Sequence, residues 1–278
     1  SSGSVTSGVS GSGDDVSVAV SSSSVSVSQL KQAVEKADGG ATITIGAQNR
    51  SAISLPSGGL RDAADNYNNL TIELKNGHIT LSPEALSAVT EQAGTTTVTL
   101  TMEPVNTAEL NSHQQAVVGD APVFDLTIKS GGETISNFDG GLATVSIPYE
   151  LPGHQDPTGV VVWFMDDESN ITPCETMYNL RTKSVIFTTG HFSKYVIGYV
   201  APMDFIDVSE NAYYYNAVAW AVENEITNGT NEAGTIFSPD VTVSRAQMVT
   251  FLWRAAGSPR ATGTSPFTDV STSDYYYN

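Results

Sequence analysis

Two blocks of this chain occur twice at one fixed distance. Phe205-Ile206-Asp207-Val208-Ser209 returns as Phe267-Thr268-Asp269-Val270-Ser271, and Tyr213-Tyr214-Tyr215-Asn216 returns as Tyr275-Tyr276-Tyr277-Asn278. Both offsets are 62 residues (267 minus 205, 275 minus 213). Separated blocks that keep one offset mark repeated units, and units this short must stack to bury a core. The chain stops inside the second unit, so further units beyond residue 278 are expected.

Within the first unit, residues 244–257 read as one helix with both ends written into the sequence. Ser244 is suited to cap the first turn, and Gln247 stands three residues on, where it can reach back to the Ser244 amide. Gly257 suits the exit, which favours a residue tolerant of positive φ. Val249, Leu252, Trp253 and Ala256 recur at helical spacing and predict a buried face. Arg245 then emerges at the N-terminal end, where unpaired N–H groups favour an anion.

The unit as a whole, Phe-x-Asp-Val (205–208), Tyr-Tyr-Tyr-Asn-Ala-Val-Ala-Trp-Ala-Val (213–222), Ile-Thr-Asn-Gly-Thr (226–230), Phe-Ser-Pro-Asp (237–240) and Ser-Arg-Ala-Gln (244–247), resembles the S-layer homology (SLH) domain. The family usually carries Thr-Arg-Ala-Glu at the last position, so Ser244 and Gln247 depart from it conservatively. The resemblance covers about residues 204–278 and implies a helix–loop–helix module. Such modules hold bacterial surface proteins to an anionic secondary cell-wall polysaccharide whose sugars bear acidic groups such as pyruvate ketals. It implies a secreted protein at the cell wall or S-layer of a Gram-positive bacterium. It also directs attention to Arg245 as the carboxylate ligand, with Ser244 and Gln247 shaping the corner and Asn228-Gly229 approaching from the facing loop. A planar guanidinium matches a carboxylate in bidentate fashion, which a lysine cannot do. The opposing reading ties Arg245 to Asp207 or Asp240 and makes it structural. The family usually needs about three units, so this chain alone is expected to bind wall polymer weakly or not at all.

Charge limits the partners. The chain holds 12 basic and 30 acidic side chains, a formal charge of −18. That balance disfavours nucleic acid and anionic membrane surfaces. After Lys194 the only basic residues are Arg245, Arg254 and Arg260, so any anion site there must be local. Cys174 is the single cysteine and excludes an internal disulfide. No apolar run approaches the roughly 20 residues a membrane helix needs, and the first thirty residues lack the basic start and apolar core of a signal peptide. A mature form or a fragment is therefore expected.

The fold class expected is multidomain α+β, with boundaries set by composition. Residues 1–26 are Ser, Gly and Val with little else and read as a disordered linker, although Val16-Ser-Val-Ala-Val20 alternates like a loose strand. Residues 27–104 alternate short helices and strands and read as an α+β module. There Asn76-Gly77 signals a hairpin, Pro83–Ala93 a helix, and Ile53-Ser-Leu-Pro a faint duplicate of Ile79-Thr-Leu-Ser-Pro. Residues 105–201 turn almost wholly β and suggest a β-sandwich-like module. Residues 202–265 form the SLH unit, and 266–278 the truncated second one.

Other constellations are weaker. His191-Phe192-Ser193 could mark self-cleavage before Ser193, the serine hydroxyl attacking the Phe192 carbonyl with His191 moving the proton; the plain alternative makes Phe192 core. Residues 27–200 could instead be a glycan-binding adhesin module. His78, His113 and His154 are scattered without metal-ligand spacing, and Asp166-Asp167-Glu168 lacks the pattern of a calcium loop, so no metal and no cofactor are expected. Trp220 and Trp253 are expected in the core, while one of Tyr213–Tyr215 must face outward. A non-enzymatic, wall-attached protein with the middle as spacer or presentation module is the expectation.

Overall fold

The computed structural model describes residues 8–153, 155–200, 204–260, 263 and 265–277. The chain divides into two compact units, residues 1–199 and 200–278.

The first unit opens with β1 (Gly8–Ala19), α1 (Val27–Lys36) and β2 (Ala37–Ala47). Next come β3 (Ala52–Leu55), α2 (Ser57–Asp65), β4 (Asn69–Leu74), β5 (Gly77–Leu81), α3 (Pro83–Ala93) and β6 (Val98–Pro104). One buried pattern recurs through this stretch. Val25, Leu55 and Leu81 each precede a helix, and Leu30, Leu60 and Leu86 follow five residues later on its inner face. Ala33, Ala63 and Val89 come one helical turn further on, also buried. Three strand–helix–strand passages thus repeat where the sequence hinted at two, and α2 packs on both α1 and α3.

After α4 (Ser112–Val118) the chain is β: β7 (Val123–Ser130), β8 (Glu133–Ile135), β9 (Ala143–Pro148), β10 (Val160–Met165), β11 (Ile171–Pro173), β12 (Thr176–Asn179), β13 (Ser184–Thr189) and β14 (Lys194–Tyr199). These strands do not form a separate module. β5 pairs with β9 and β6 with β7, so the first sheet runs β1-β2-β4-β5-β9-β13-β12 and the second β11-β10-β14-β7-β6-β3, with β8 on β7. Each sheet draws strands from both sides of residue 104, so the expected boundary there runs through shared sheets. The shared core reaches from Val16 to Ile197.

The linker expected at 1–26 is corrected for its described part. β1 pairs in parallel with β2, and Val16 and Val18 are wholly buried in the core. Period-two valines fill an inner sheet face whatever small residues stand between them, and serine and glycine hid that pattern. Residues 1–7 lie outside the described residues, as does His154.

In the second unit α5 (Tyr215–Glu223) and α6 (Arg245–Ala255) flank a loop that folds on itself. Among the described residues no helix is long and apolar enough to cross a membrane.

Candidate functional site

The N-terminus of α6 is built as its sequence predicts. The Ser244 hydroxyl accepts from the Gln247 amide at 3.2 Å, and the Gln247 side chain accepts from the Ser244 amide at 2.8 Å. This reciprocal cap occupies both side chains and satisfies two donors that a helix start leaves open. Arg245, the first helical residue, is exposed beside them.

Arg245 lines a cavity of about 480 Å³ together with Ala246 and Val249 of α6 and Pro266, Phe267, Asp269, Tyr276 and Tyr277 of the second repeat. The repeat explains this arrangement. In the first copy Phe205, Val208 and Val218 make a small buried cluster, with Tyr214, Tyr215, Val222 and Phe237 packed against it. In the second copy the counterparts Phe267, Val270, Tyr276 and Tyr277 face α6 instead. The turn itself is repeated bond for bond. Ala212 and Tyr215 donate to Ser209 and Ala212 carbonyls, and Asp274 and Tyr277 donate to Ser271 and Asp274 carbonyls. Tyr213 meets Tyr214 edge-on at 5.1 Å, and Tyr275 meets Tyr276 edge-on at 4.9 Å. Sequence reasoning saw the repeat but missed these cavity walls. Projecting the first copy's packing residues through the 62-residue offset would have found them.

Asn228 and Gly229, the other expected ligand residues, do not line that cavity. Asn228 is exposed. Gly229 has φ +86°, and a Cβ there would lie 2.5 Å from the Ile236 carbonyl and 2.7 Å from the Phe205 ring. Its small size therefore serves close packing of the loop. The loop closes through Asn231, whose side chain accepts from Thr235 and Ile236, and through Asp207, which accepts from the Phe237 and Ser238 amides at 2.8 and 2.7 Å. Those amide bonds hold the Asp207 carboxyl below its usual range.

The two arginines of the unit differ in use. Arg254 donates to the Ile226 carbonyl at 2.9 Å and ties α6 to the loop. Arg245 forms no ion pair among the described residues, neither with Asp207 nor with Asp240. The expected buried face of α6 is corrected: Val249 and Leu252 are 52% and 63% exposed, and Thr250 is the buried residue. Trp220, expected in the core, is 55% exposed, while Trp253 is half-buried with its indole N–H on the Pro259 carbonyl. The helix docks on the side carrying Thr250 and Arg254, which turns the more apolar stripe outward. Tyr213, 98% exposed, is the outward tyrosine of its trio.

In the first unit His191 lies against the Phe164 ring at 4.4 Å, with Nδ1 3.4 Å from the Tyr195 hydroxyl. Burial lowers its pKa below the usual imidazole range. The Ser193 hydroxyl donates to the Met165 carbonyl at 3.4 Å, Phe192 is core, and no positive φ occurs at 191–193. No His191–Ser193 hydrogen bond is present among the described residues. Cys174 is half-buried and burial raises its thiol pKa, the opposite of an activated nucleophile. Among the described residues no group of His, Cys, Asp and Glu has the geometry to hold a metal ion.

Neither the curated proteins nor the solved structures contain a match to this chain. Residues 204–249 match the family model of the S-layer homology domain. They span α5, the closed loop and the first half of α6 with Arg245, so the chain carries an SLH domain, a module of proteins held at the cell surface.

Proposed function

We propose that this is a secreted, non-catalytic protein of a Gram-positive cell surface, attached non-covalently to an anionic secondary wall polysaccharide. Arg245 takes an acidic group of that polymer, of the pyruvate-ketal type, within the cavity walled by Phe267, Tyr276 and Tyr277. Ser244 and Gln247 act behind it by holding the helix start. Asn228 and Gly229 keep the facing loop in shape. The first unit serves as spacer or presentation module.

One observation carries this reading: an exposed guanidinium, without an ion pair among the described residues and at a capped helix N-terminus, opens into a cavity of about 480 Å³. A helix start and an arginine fork both favour an anion, and together they make a local site in an otherwise acidic chain. The test is retention, on purified wall sacculi bearing their secondary polymer, of an anchor completed to three such units. Arg245→Ala is expected to weaken retention by about 10- to 100-fold, the worth of a charge-assisted hydrogen bond. Arg245→Lys should keep part of it, and sacculi stripped of the polymer should retain nothing. Equal retention of wild type and Arg245→Ala would overturn the assignment.

A further inference from the structure

A second cavity, of about 450 Å³, opens in the first unit, where the parallel strands β1, β2 and β4 end. Its lining includes Ser17, Thr44, Gly46, Gln48, Arg50 and Glu73. The SLH reading uses none of them. Two ionic groups are present, and both are held. The Arg50 guanidinium donates to the Ser21 carbonyl at 2.8 Å, and the Gln48 amide donates to the Glu73 carboxylate. One charge of each sign makes the cleft nearly neutral while leaving it rich in donors and acceptors.

Gly46 gives the clearest sign that space here is kept open. It sits inside β2 in extended backbone, so no positive φ calls for glycine. A Cβ would stand 3.4 Å from the Gln48 side chain and 3.8 Å from Glu73. A glycine inside a strand weakens it and marks places where something approaches closely. Its neighbours in register are Ala19 on β1 and Glu73 on β4, so the floor of the cleft joins two small residues to one carboxylate.

The cleft ends at Glu73 of β4, but the sheet face it opens on continues. Strand register sets Ser17, Thr44, Thr71, Thr80, Thr144 and Thr188 side by side across β1, β2, β4, β5, β9 and β13. At a strand spacing of roughly 4.8 Å this row of hydroxyls is about 24 Å long. Adjacent residues along the strands, such as Val18, Ile45, Ile79 and Val145, are buried in the core. The row therefore faces away from it, with Thr144 exposed and the others half-buried. The Thr71 and Thr80 hydroxyls already bond each other at 2.8 Å.

We propose that this face binds a neutral polysaccharide chain, seated in the cleft at Gly46 and running along the hydroxyl row. Hydroxyls, amides, one guanidinium and one carboxylate offer both donors and acceptors at short intervals, which matches a ligand whose every unit carries hydroxyl groups. Arg50 and Glu73 offset each other in the cleft, which leaves no net positive charge there to hold a polyanion. The length of the row selects an extended polymer over a small molecule. The cleft has no aromatic wall, so sugar edges rather than ring faces are read.

The experiment is an NMR titration of the isotopically labelled full chain with cellotetraose, with tetra-N-acetylchitotetraose and with polygalacturonate as the charged probe. One of the neutral oligosaccharides at millimolar concentration should shift the amides of Thr44, Gly46 and Gln48, and of Thr80 or Thr144. Polygalacturonate should leave them in place. Gly46→Val, which fills the floor with a residue suited to strands, should abolish the cleft shifts. Thr144→Val, close in shape and lacking one hydroxyl, should weaken binding about five-fold, the worth of one neutral hydrogen bond, and it carries the test should Gly46→Val fail to fold. Arg245→Ala should change nothing here, which separates this site from the wall anchor. No shift with either neutral sugar, stronger shifts with polygalacturonate, or binding untouched by both strand variants would overturn the proposal.

Discussion

Asp207 illustrates how little of a residue's role its motif reveals. It occurs in both copies of the repeat, as Asp207 and Asp269, and nothing in the Phe-x-Asp-Val motif names its partner. In the fold it closes a loop thirty residues away through the Phe237 and Ser238 amides. Because these bonds lower its folded-state pKa, their stabilisation is complete above the ordinary Asp pKa of about 3.9 and is lost as pH falls through the lower folded value. Acid titration followed at the Phe237 and Ser238 amides should therefore show the loop opening only below that range. Asp207→Ala should open it at neutral pH while the first unit keeps its melting temperature. Ser244→Ala removes an acceptor from the α6 cap and should cost about 1 kcal/mol in the second unit, read from its unfolding midpoint. The cap and Arg245 were legible because four adjacent residues write them locally. The cavity walls were not, since Phe267 and Tyr276 reach α6 only through tertiary packing.

Among the elements, α2 separates what local propensity predicts from what packing decides. Gly58 and Gly59 are adjacent in its first turn. By propensity alone either would gain from replacement by alanine. A Cβ at Gly58 would meet nothing within 4 Å, whereas one at Gly59 would lie 2.8 Å from Leu30 Cδ2 and 2.9 Å from its Cγ, on α1. Gly58→Ala should stabilise the unit by about 0.4–1 kcal/mol, and Gly59→Ala should destabilise it by about 1–3 kcal/mol. Chemical denaturation of the two variants decides this, and like signs would contradict the helix contact. The hairpin at residues 74–77 teaches the same lesson. Asn76-Gly77 signalled it correctly, yet Leu74 pairs with Gly77, so the two turn residues are Lys75 and Asn76. Gly77 is glycine because a Cβ would lie 2.2 Å from the Ser146 carbonyl of β9. The turn was readable from its own residues; the neighbour that demands the glycine lies almost seventy residues further on. The apolar stripe of α6 misled for a related reason, since helical period identifies a face without saying whether Thr250 or Val249 finds a partner.

For the whole molecule, the weight of the first unit rests partly on a segment whose composition reads as a spacer. A Ser/Gly-rich start offers few large side chains to offset the entropy of ordering, which is why the sequence suggests a linker. Yet β1 covers the free edge of β2, setting the wholly buried Val16 and Val18 beside Ile43 and Ile45, which have only Leu70 and Ile72 of β4 on their other side. Burying a valine stabilises by about 1.5–3 kcal/mol, so the pair supplies roughly 3–6 kcal/mol before the cost of ordering the strand. Much of that gain is offset by fixing the strand backbone, but parallel pairing of β2 with β1 would also be lost and an edge with alternating isoleucines exposed. Removing residues 1–20 from the full chain should therefore lower the melting temperature of the first unit on the order of 10 °C and promote self-association through the bared β2 edge. The second unit, whose buried cluster lies within residues 205–237, should keep its transition. A true linker would be removable with both transitions unchanged. Calorimetry with light scattering on the two chains separates the cases, because only an integral strand couples its loss to both melting and association.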